Sequence, residues 1–515
     1  MRASHRPSRL VRTVAAFAVS LSVGMGVVAC TAKPEHSAEQ LSETDALLQP
    51  LVEGGSTVVA DDDGTGIDAS KAFFETANDV VISASSHDAQ LKAAAIAVDL
   101  GAPMLIRHPG TEETVEREVS RLGAQRRIQV SSEDPADTSI ETEEDAEDIA
   151  LIDETPPLAP DSGSGVAQII ERGASSAKPA KTPVLATEAT SLAAVATATA
   201  QRIPVTVLSH PDPRVTRESM DQVKGKQAVA LGHQFGSSEY FRGAVDMAAN
   251  GELPGGGGLV FPGRRMVALY GHPSGPALGQ MGEQPPAEAV QVAQNWVEQY
   301  REYTDELIIP AFEVIATVAS GGPGEDGNFT NETDPAELVP YIDAITEAGG
   351  YAVIDLQPGL ATFKEQALIY EELLKRPNVG LALDAEWKLK PGQAPAAQVG
   401  SADAAEINAV TEWLAELTRT NNLPQKALIV HQFQVAMLPD RHNINTGHPE
   451  LSFILHADGH GTPGQKFDTW NILLENLDPR FFVAWKNFID EDQPMFTPEQ
   501  TYTQVNPRPW FVSYQ

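Results

Sequence analysis

The C-terminal half of the chain alternates short apolar runs with amphipathic segments. Each run has the length of a strand and lacks polar alternation, as expected for parallel strands buried on both faces. The predicted strands are 266–270, 312–319, 351–356, 379–385, 427–433, 451–457, 481–486 and 510–513. Apolar residues at helical spacing predict helices at 286–303, 335–348, 363–375, 402–419 and 464–477. This order predicts a (β/α)8 TIM barrel over residues 259–515, which is about the usual length of that fold.

The N-terminal half carries a β-α-β-α-β pattern twice. The predicted strands are 80–84, 104–106 and 127–130 in the first unit and 183–186, 203–208 and 227–232 in the second. An alanine-rich helix follows the first strand of each unit, at 87–100 and 191–201. This order predicts parallel sheets with right-handed crossovers. We therefore predict an α/β protein in which a two-repeat flavodoxin-like or Rossmann-like domain over 56–253 precedes the barrel, with the glycine run 254–258 as the boundary.

Two polar segments lie outside these patterns. Residues 30–55 are mixed and polar, and we predict a tether that leads to the first domain. Residues 133–161 are rich in Glu and Asp and predict a solvated acidic insertion between the repeats, since like charges repel one another. A cation-binding tail is the other interpretation of that insertion.

The N-terminus places four arginines before an apolar stretch that ends at Val28, and Cys30 follows two residues later. A basic head, a short apolar middle and small residues predict a secretory signal peptide over 1–29. A cysteine directly after the cut resembles the lipobox of bacterial lipoproteins. The resemblance implies a lipid on Cys30, palmitate included, that holds the protein at the extracytoplasmic face of the plasma membrane. A buried structural thiol is the alternative. Disulfides are excluded because Cys30 is the only cysteine.

The first repeat carries a family resemblance. Its segments Glu75-Thr76-Ala77, Asp88-Ala89 and Gly101-Ala102-Pro103-Met104-Leu105-Ile106 resemble the cell-wall-binding repeat type 2 family, and the likeness extends over about 56–248. The second repeat matches less well, and the family usually has three repeats. The resemblance implies non-covalent attachment to a wall polymer. The alternative is a domain that only supports the rest of the chain.

The charge of the chain excludes one class of partner. The formal net charge is −35 at pH 7 over 515 residues, with 42% hydrophobic residues. Nucleic-acid-binding proteins carry basic patches, so we expect no nucleic acid partner. The same charge opposes electrostatic adhesion to anionic lipid, which leaves the membrane contact to the lipid on Cys30.

Polar and aromatic side chains collect where the predicted barrel strands end. They are Tyr270, His272, Asp355, Asp384, Glu386, Trp387, His431, Gln432, His456, Asp458, Trp485 and Asn487. Because barrel chemistry takes place at the C-terminal ends of the strands, we expect these side chains to surround one mouth.

Asp384 and Glu386 are the strongest candidates for a pair of catalytic carboxyl groups. Because they are two residues apart on a predicted strand, their side chains would share a face. Two close carboxyl groups have different pKa values, so one can act as an acid and the other as a base, as glycoside hydrolysis requires. The string Leu383-Asp384-Ala385-Glu386 resembles the Asp-x-Glu strand of barrel muramidases in glycoside hydrolase family 25.

That second resemblance implies Glu386 as the proton donor, Asp384 as the group that stabilises the sugar cation, and Asp355 or Asp458 as helper. Tyr270, Trp387 and Trp485 are predicted to stack on sugars. The other polar strand ends, namely His272, His431, Gln432, His456 and Asn487, are predicted to bind substrate. A structural rim of ion pairs is the alternative for the two acids.

Two further functions stay open. The spacing His-x-Asp-x-His at 456–460, with His431 nearby, allows a divalent metal at His431, His456 and Asp458, and hence a metal-dependent hydrolase. We otherwise predict no cofactor. A non-catalytic envelope protein that binds a wall polymer or glycan is the remaining alternative. The sequence contains no G-x-S-x-G nucleophile elbow, which argues against a serine hydrolase.

Overall fold

The two repeats of the N-terminal part form two separate four-stranded sheets. The computed structural model describes residues 42–131, 138–142 and 165–515. Its strands before residue 250 are β1 (Thr57–Val59), β2 (Asp79–Ser83), β3 (Met104–Ile106), β4 (Arg126–Val130), β5 (Thr138–Thr142), β6 (Val184–Thr187), β7 (Val205–Leu208) and β8 (Val229–Leu231). Cys30 and the predicted signal peptide lie outside the described residues.

Both sheets are built on the same plan. The orders are β3-β2-β4-β5 and β1-β8-β6-β7, so each repeat places its first strand between its second and its third. The pairings among the predicted strands are parallel, as the sequence pattern predicts. Two edge strands were not predicted: β1 pairs parallel with β8, and β5 pairs antiparallel with β4.

The helices of this part lie around and between the sheets. They span Glu43–Leu48, Ile67–Phe73, His87–Leu100, Glu112–Leu122, Val166–Gly173, Leu192–Ala200, Arg217–Val223 and Ser238–Met247. The two alanine-rich helices pack against each other, and almost every alanine in them is fully buried. Small side chains let the two repeats approach closely. Thr197 shows this closeness, because its Oγ1 accepts a hydrogen bond from the backbone N–H of Met104 in the other sheet, at 3.0 Å.

Substituting Gly66 with alanine is expected to destabilise this contact. Gly66 has a φ of 77°, and an added Cβ would lie 2.5 Å from Ala193 Cβ and 2.6 Å from Met104 O. Backbone strain and overpacking together should lower the free energy of unfolding by about 2–5 kcal/mol in urea denaturation. Gly123→Ala is the matched control, because Gly123 has a φ of 68° and open space around it. Equal losses for both variants would contradict close packing at Gly66.

The predicted tether is wrong in its second half, whereas the predicted domain boundary at 254–258 stays a prediction. The second half of the predicted tether 30–55 is folded: Leu48 and Val52 lie in the core of the N-terminal sheets because their apolar side chains complete it. The glycine run 254–258 is an ordered turn, in which Gly258 donates a hydrogen bond to Arg214 O. Arg214 is fully buried, pairs with Asp212 at 2.7 Å and donates to Pro449 O of the barrel, so the boundary is a packed interface.

The predicted acidic insertion 133–161 is only partly described. Residues 138–142 form β5, which corrects the prediction of an unpaired solvated segment at that point, because the backbone of β4 offers a free edge for pairing. The other residues of the insertion lie outside the described part of the chain.

The C-terminal half is the predicted barrel. Its strands are β9 (Arg265–Gly271), β10 (Ile308–Ala319), β11 (Thr330–Glu332), β12 (Tyr351–Leu356), β13 (Val379–Asp384), β14 (Lys426–Gln432), β15 (Leu451–Ala457), β16 (Phe482–Asn487) and β17 (Phe511–Tyr514). Eight of them pair in parallel in sequence order, and β9 closes the ring by pairing with both β17 and β10. The short strand β11 was not predicted and forms an antiparallel extension of β10.

Helices surround the barrel, and the barrel strands separate two apolar cores. They span Pro286–Arg301, Pro335–Glu347, Phe363–Ile369, Glu371–Leu374, Ala404–Thr420, Pro463–Leu474 and Pro498–Gln504. One apolar cluster lies between strands and helices, and a smaller one fills the N-terminal end of the barrel interior. Within the described part of the chain, no helix combines the length and the apolarity that crossing a membrane requires.

Candidate active site

The upper layer of the barrel interior is polar and charged. Alternate residues of each strand point inward, so the positions above the lower apolar layer face one another across the barrel axis. These positions are Tyr270, Glu313, Asp355, Asp384, His431, His456, Lys486 and Ser513, and each is at most 3% exposed. The structure therefore gathers acidic, basic and hydroxyl groups from all eight strands in one place.

His431 lies at the centre of this cluster. Its Nδ1 is 3.0 Å from Asp458 Oδ2, and its Nε2 is 2.8 Å from Glu313 Oε1. Asp384 Oδ2 lies 4.0 Å from the same Nδ1. Burial alone would lower the pKa of His431, but the charges of Glu313 and Asp355 outweigh it and hold that pKa well above its usual value. The two carboxylates therefore favour the protonated form of His431.

His456 lies beside His431 on the next strand. Its Nε2 is 3.0 Å from Ser513 Oγ, and its Nδ1 is 3.4 Å from His431 Nε2 and 3.6 Å from Glu313 Oε1. Burial lowers the pKa of His456, so this ring is neutral. One nitrogen from each of the two rings thus points at the same carboxylate.

Asp355 forms a second part of the cluster with Tyr270 and Lys486. Tyr270 donates a hydrogen bond to Asp355 Oδ2 at 2.8 Å, and Lys486 Nζ lies 3.5 Å from the centre of the Tyr270 ring. Burial, together with the charge of Glu313, raises the pKa of Asp355 to about 6.

Asp384 and Glu386 do not share a strand face, which corrects the predicted arrangement. Strand β13 ends at Asp384, and residues 385–387 form a 3-10 turn because Asp384 Oδ1 accepts a hydrogen bond from the backbone N–H of Glu386, at 3.1 Å. Asp384 is 3% exposed, whereas Glu386 is half-buried on the rim above it. The pair therefore consists of one buried carboxyl group and one accessible carboxyl group.

The pKa values of the carboxyl groups in and beside the cluster shift in opposite directions. Burial raises the pKa of Asp384 well above its usual value, and burial followed by the charge of Asp458 raises that of Glu386. Burial would also raise the pKa values of Glu313 and Asp458, but the neighbouring histidines outweigh it and lower both. Proton-holding and proton-free carboxyl groups therefore lie side by side, the condition for acid–base chemistry.

Three carboxylate oxygens in and beside this cluster have no hydrogen-bond partner among the residues that the structure describes. They are Glu313 Oε2, Asp355 Oδ1 and Asp458 Oδ1, and all three are buried. A buried polar atom without a partner costs free energy, so native proteins keep such atoms where water, an ion or a ligand satisfies them. Their presence together makes this layer the candidate functional site.

Replacing Asp355 with asparagine is expected to change how stability depends on pH. Because its folded pKa of about 6 exceeds the unfolded value of about 3.9, Asp355 favours folding below pH 4 and loses that contribution as the pH rises through 6. Relative to the wild type, Asp355→Asn should gain roughly 2–3 kcal/mol of unfolding free energy between pH 4 and pH 7, measured by urea denaturation. The exposed Asp490→Asn is the control, and parallel profiles for Asp355→Asn and the wild type would contradict the raised pKa.

Several predicted substrate contacts are wrong because the side chains point away from the interior. Trp485 packs against Trp470 and Phe496 between barrel and helices, and its Nε1 donates to Asn487 Oδ1. Asn487 also bonds Thr501 on the outer side. Gln432 is likewise outside the interior, held by Arg441.

Three other residues that were predicted to contact substrate lie at the mouth of the barrel. Tyr270 cannot stack on a sugar, because it is buried and Lys486 covers its ring. His272 is fixed on the rim by Ser274 Oγ at 2.8 Å and Thr333 Oγ1 at 2.9 Å. Trp387 is half-buried in the turn with Glu386, so its predicted sugar contact stays a prediction.

Glu313, Lys486 and Ser513 belong to the cluster but were not predicted as site residues. Glu313 lies in the middle of the long apolar run Ile308–Ala319, and a single acid in such a run was the available signal. Lys486 and Ser513 each lie between two residues whose side chains face the helices. Only the alternation of inward and outward side chains along a strand could have predicted that they face the interior.

Comparisons with known proteins give a limited result. No known protein family and no curated protein matches the sequence. Among solved structures, similarity is found to cellobiohydrolase II (Cel6A) from Humicola insolens in complex with glucose and cellotetraose, with 12% identity and a TM-score of 0.19 over 44% of this chain and 62% of that chain.

A mutant of the same cellobiohydrolase, in complex with methyl-tetrathio-α-D-cellopentoside, matches with 12% identity and a TM-score of 0.19 over 44% of this chain and 61% of that chain. This chain thus spans about three fifths of the length of both structures, and a TM-score of that size carries no argument about function. The lipid on Cys30 and the wall-binding role of the repeats stay predictions.

Proposed function

We propose that the barrel is a hydrolase that cleaves glycosidic bonds of a cell-envelope glycan at its C-terminal mouth. The observation that carries the proposal is the position of Glu386, a half-buried acid just past the C-terminal end of β13 and near enough to Asp458 for that charge to raise its pKa. Glycoside hydrolysis needs one carboxylic acid that reaches the leaving oxygen and one carboxylate that stays charged.

The two roles go to different residues. Glu386 is the proton donor, because it alone of the acidic pair remains accessible from the mouth. Asp458 is the charged partner, because His431 donates to its Oδ2 and lowers the pKa of its carboxyl group. Asp384, which was predicted for that second role, is buried beneath the turn and positions Glu386 through the bond to its backbone N–H.

The site of action follows from the sequence. Export, a lipid on Cys30 and repeats that bind a wall polymer would hold the barrel next to envelope glycans at the extracytoplasmic face of the plasma membrane. The barrel chemistry does not depend on this placement, so the two parts of the proposal are tested separately.

The release of new reducing ends tests the hydrolase. Purified protein is incubated with insoluble peptidoglycan and with a panel of aryl glycosides, and soluble reducing ends and sedimentation with the polymer are both measured. A hydrolase releases reducing ends or free phenol in a time-dependent manner. Co-sedimentation with peptidoglycan without any release from either substrate would overturn the proposal and support a binding protein.

A further inference from the structure

Three potential metal ligands converge on the barrel axis below the rim. Glu313 Oε1, His431 Nε2 and His456 Nδ1 form a triangle with sides of 2.8, 3.4 and 3.6 Å. Ligands about 2.0–2.2 Å from a tetrahedral zinc ion are about 3.3–3.6 Å apart. Two sides of the triangle therefore match the spacing that an ion would impose, the side between Glu313 Oε1 and His431 Nε2 is shorter, and all three side chains are fully buried.

The outer nitrogen of each histidine is also held. His431 Nδ1 lies 3.0 Å from Asp458 Oδ2, and His456 Nε2 lies 3.0 Å from Ser513 Oγ. Metal-binding histidines usually donate their second N–H to a carboxylate or another acceptor, which fixes the ring and its tautomer. Both rings here thus have a partner on the side away from the triangle.

The second carboxyl oxygen of Glu313 gives further evidence for an ion. Glu313 Oε2 is buried and has no hydrogen-bond partner in the described part of the chain, whereas Glu313 Oε1 has two histidine neighbours. A cation would satisfy this oxygen and neutralise a layer in which Glu313, Asp355 and Asp458 lie close together. Two imidazoles and one carboxylate are ligands typical of zinc, iron(II) and related first-row ions.

We propose that Glu313, His431 and His456 bind one first-row divalent metal ion, with Asp458 and Ser513 orienting the two histidines. This assignment differs from the predicted set of His431, His456 and Asp458, because Asp458 contacts the far nitrogen of His431. A second grouping, Asp384, His431 and Asp458, supplies only one imidazole and has a side of 4.0 Å, so it fits less well.

The ion would lie one layer below Glu386 and hold His431 so that its Nδ1–H donates to Asp458. The inference therefore deepens the proposed hydrolase by naming what fixes its charged carboxylate. Metal binding itself does not rest on that function, because it can be measured without any substrate.

Calorimetric titration of untagged, chelator-treated protein with Zn²⁺ tests the inference. One ion per chain is expected, and Glu313→Gln and His456→Gln should each weaken binding at least tenfold. The exposed His442→Gln is the matched control and should bind as the wild type does. No binding by the wild type, or equal binding by all variants, would overturn the site.

Ser513→Ala keeps the test valid if a ligand variant fails to fold. It removes no ligand, yet it should weaken Zn²⁺ binding about tenfold by freeing the His456 ring. In ¹⁵N NMR spectra of the wild type, Zn²⁺ should shift His431 Nε2 and leave Nδ1 protonated, whereas loss of the Nδ1 proton would overturn the ligand assignment. Glu386→Gln should bind Zn²⁺ as the wild type does. Zn²⁺ binding by a wild-type protein that hydrolyses no glycan would refute the proposed function and leave the metal site standing, so the two failures are distinguishable.

Discussion

Replacing Glu386 with glutamine is expected to lower the rate of glycan hydrolysis by about 10²–10⁴-fold, the usual contribution of a general acid. Glutamine keeps the size and the backbone bond to Asp384 but cannot give up a proton. Because Glu386 is half-buried and makes no ion pair within the described part of the chain, the free energy of unfolding should change by less than about 0.5 kcal/mol. Substrate binding should be nearly unchanged, so the loss should fall on kcat.

The pH profile supplies a second readout for Glu386. A general acid works in its protonated form, and the pKa of Glu386 is raised by burial and by Asp458. The wild-type kcat should therefore fall as the pH rises above that pKa, and the residual activity of Glu386→Gln should lack this decline. The exposed Glu412→Gln is the matched control. Full activity in Glu386→Gln would exclude it as the proton donor.

Replacing His431 with leucine is expected to lower the free energy of unfolding by about 3–5 kcal/mol in metal-free protein. The substitution leaves the buried carboxylates Glu313 and Asp458 without their shared donor, and removing one partner of a buried charge pair has a cost of this size. Urea denaturation of the full chain measures the loss. The exposed His442→Leu serves as the control, with an expected change within about 0.5 kcal/mol.

The effect of His431 should depend on pH in a defined direction. Its folded pKa is raised, so its stabilising contribution is complete below the unfolded pKa of about 6.5 and is lost as the pH rises through the higher folded value. The difference between wild type and His431→Leu should therefore be largest in mild acid and shrink in alkali. A loss below about 1 kcal/mol at pH 6 would contradict the central place given to this ring.

The barrel could be predicted because its strands have an unusual composition. Parallel strands buried on both faces read as unbroken apolar runs, and each of the eight predicted runs overlaps an observed strand. The edge strands β1 and β5 could not be predicted in this way. Strand β1 pairs with β8, which is far away in the sequence, so no local pattern encodes that partner. Strand β5 pairs with the neighbouring β4, but it lies in the acidic segment and has no apolar run that would predict a strand.

The candidate site was predicted in its location but only partly in its members. Asp384, His431 and His456 were assigned to the mouth because they end apolar strands, and all three point inward. Trp485 ends a strand too, but it lies one position from the inward Lys486 and therefore faces the helices. The position of a strand end in the sequence predicts where a residue lies along the barrel axis. Whether its side chain faces the interior or the helices depends on the register of the strand.

The most direct test of the account is a crystal structure of Glu386→Gln soaked with an oligosaccharide that the wild type cleaves. The account predicts a sugar chain across the barrel mouth, with a glycosidic oxygen within about 3 Å of the Gln side chain at position 386 and the adjoining sugar ring facing Asp458. An oligosaccharide bound only to the N-terminal sheets or the outer helices, with the mouth closed to it, would contradict the account.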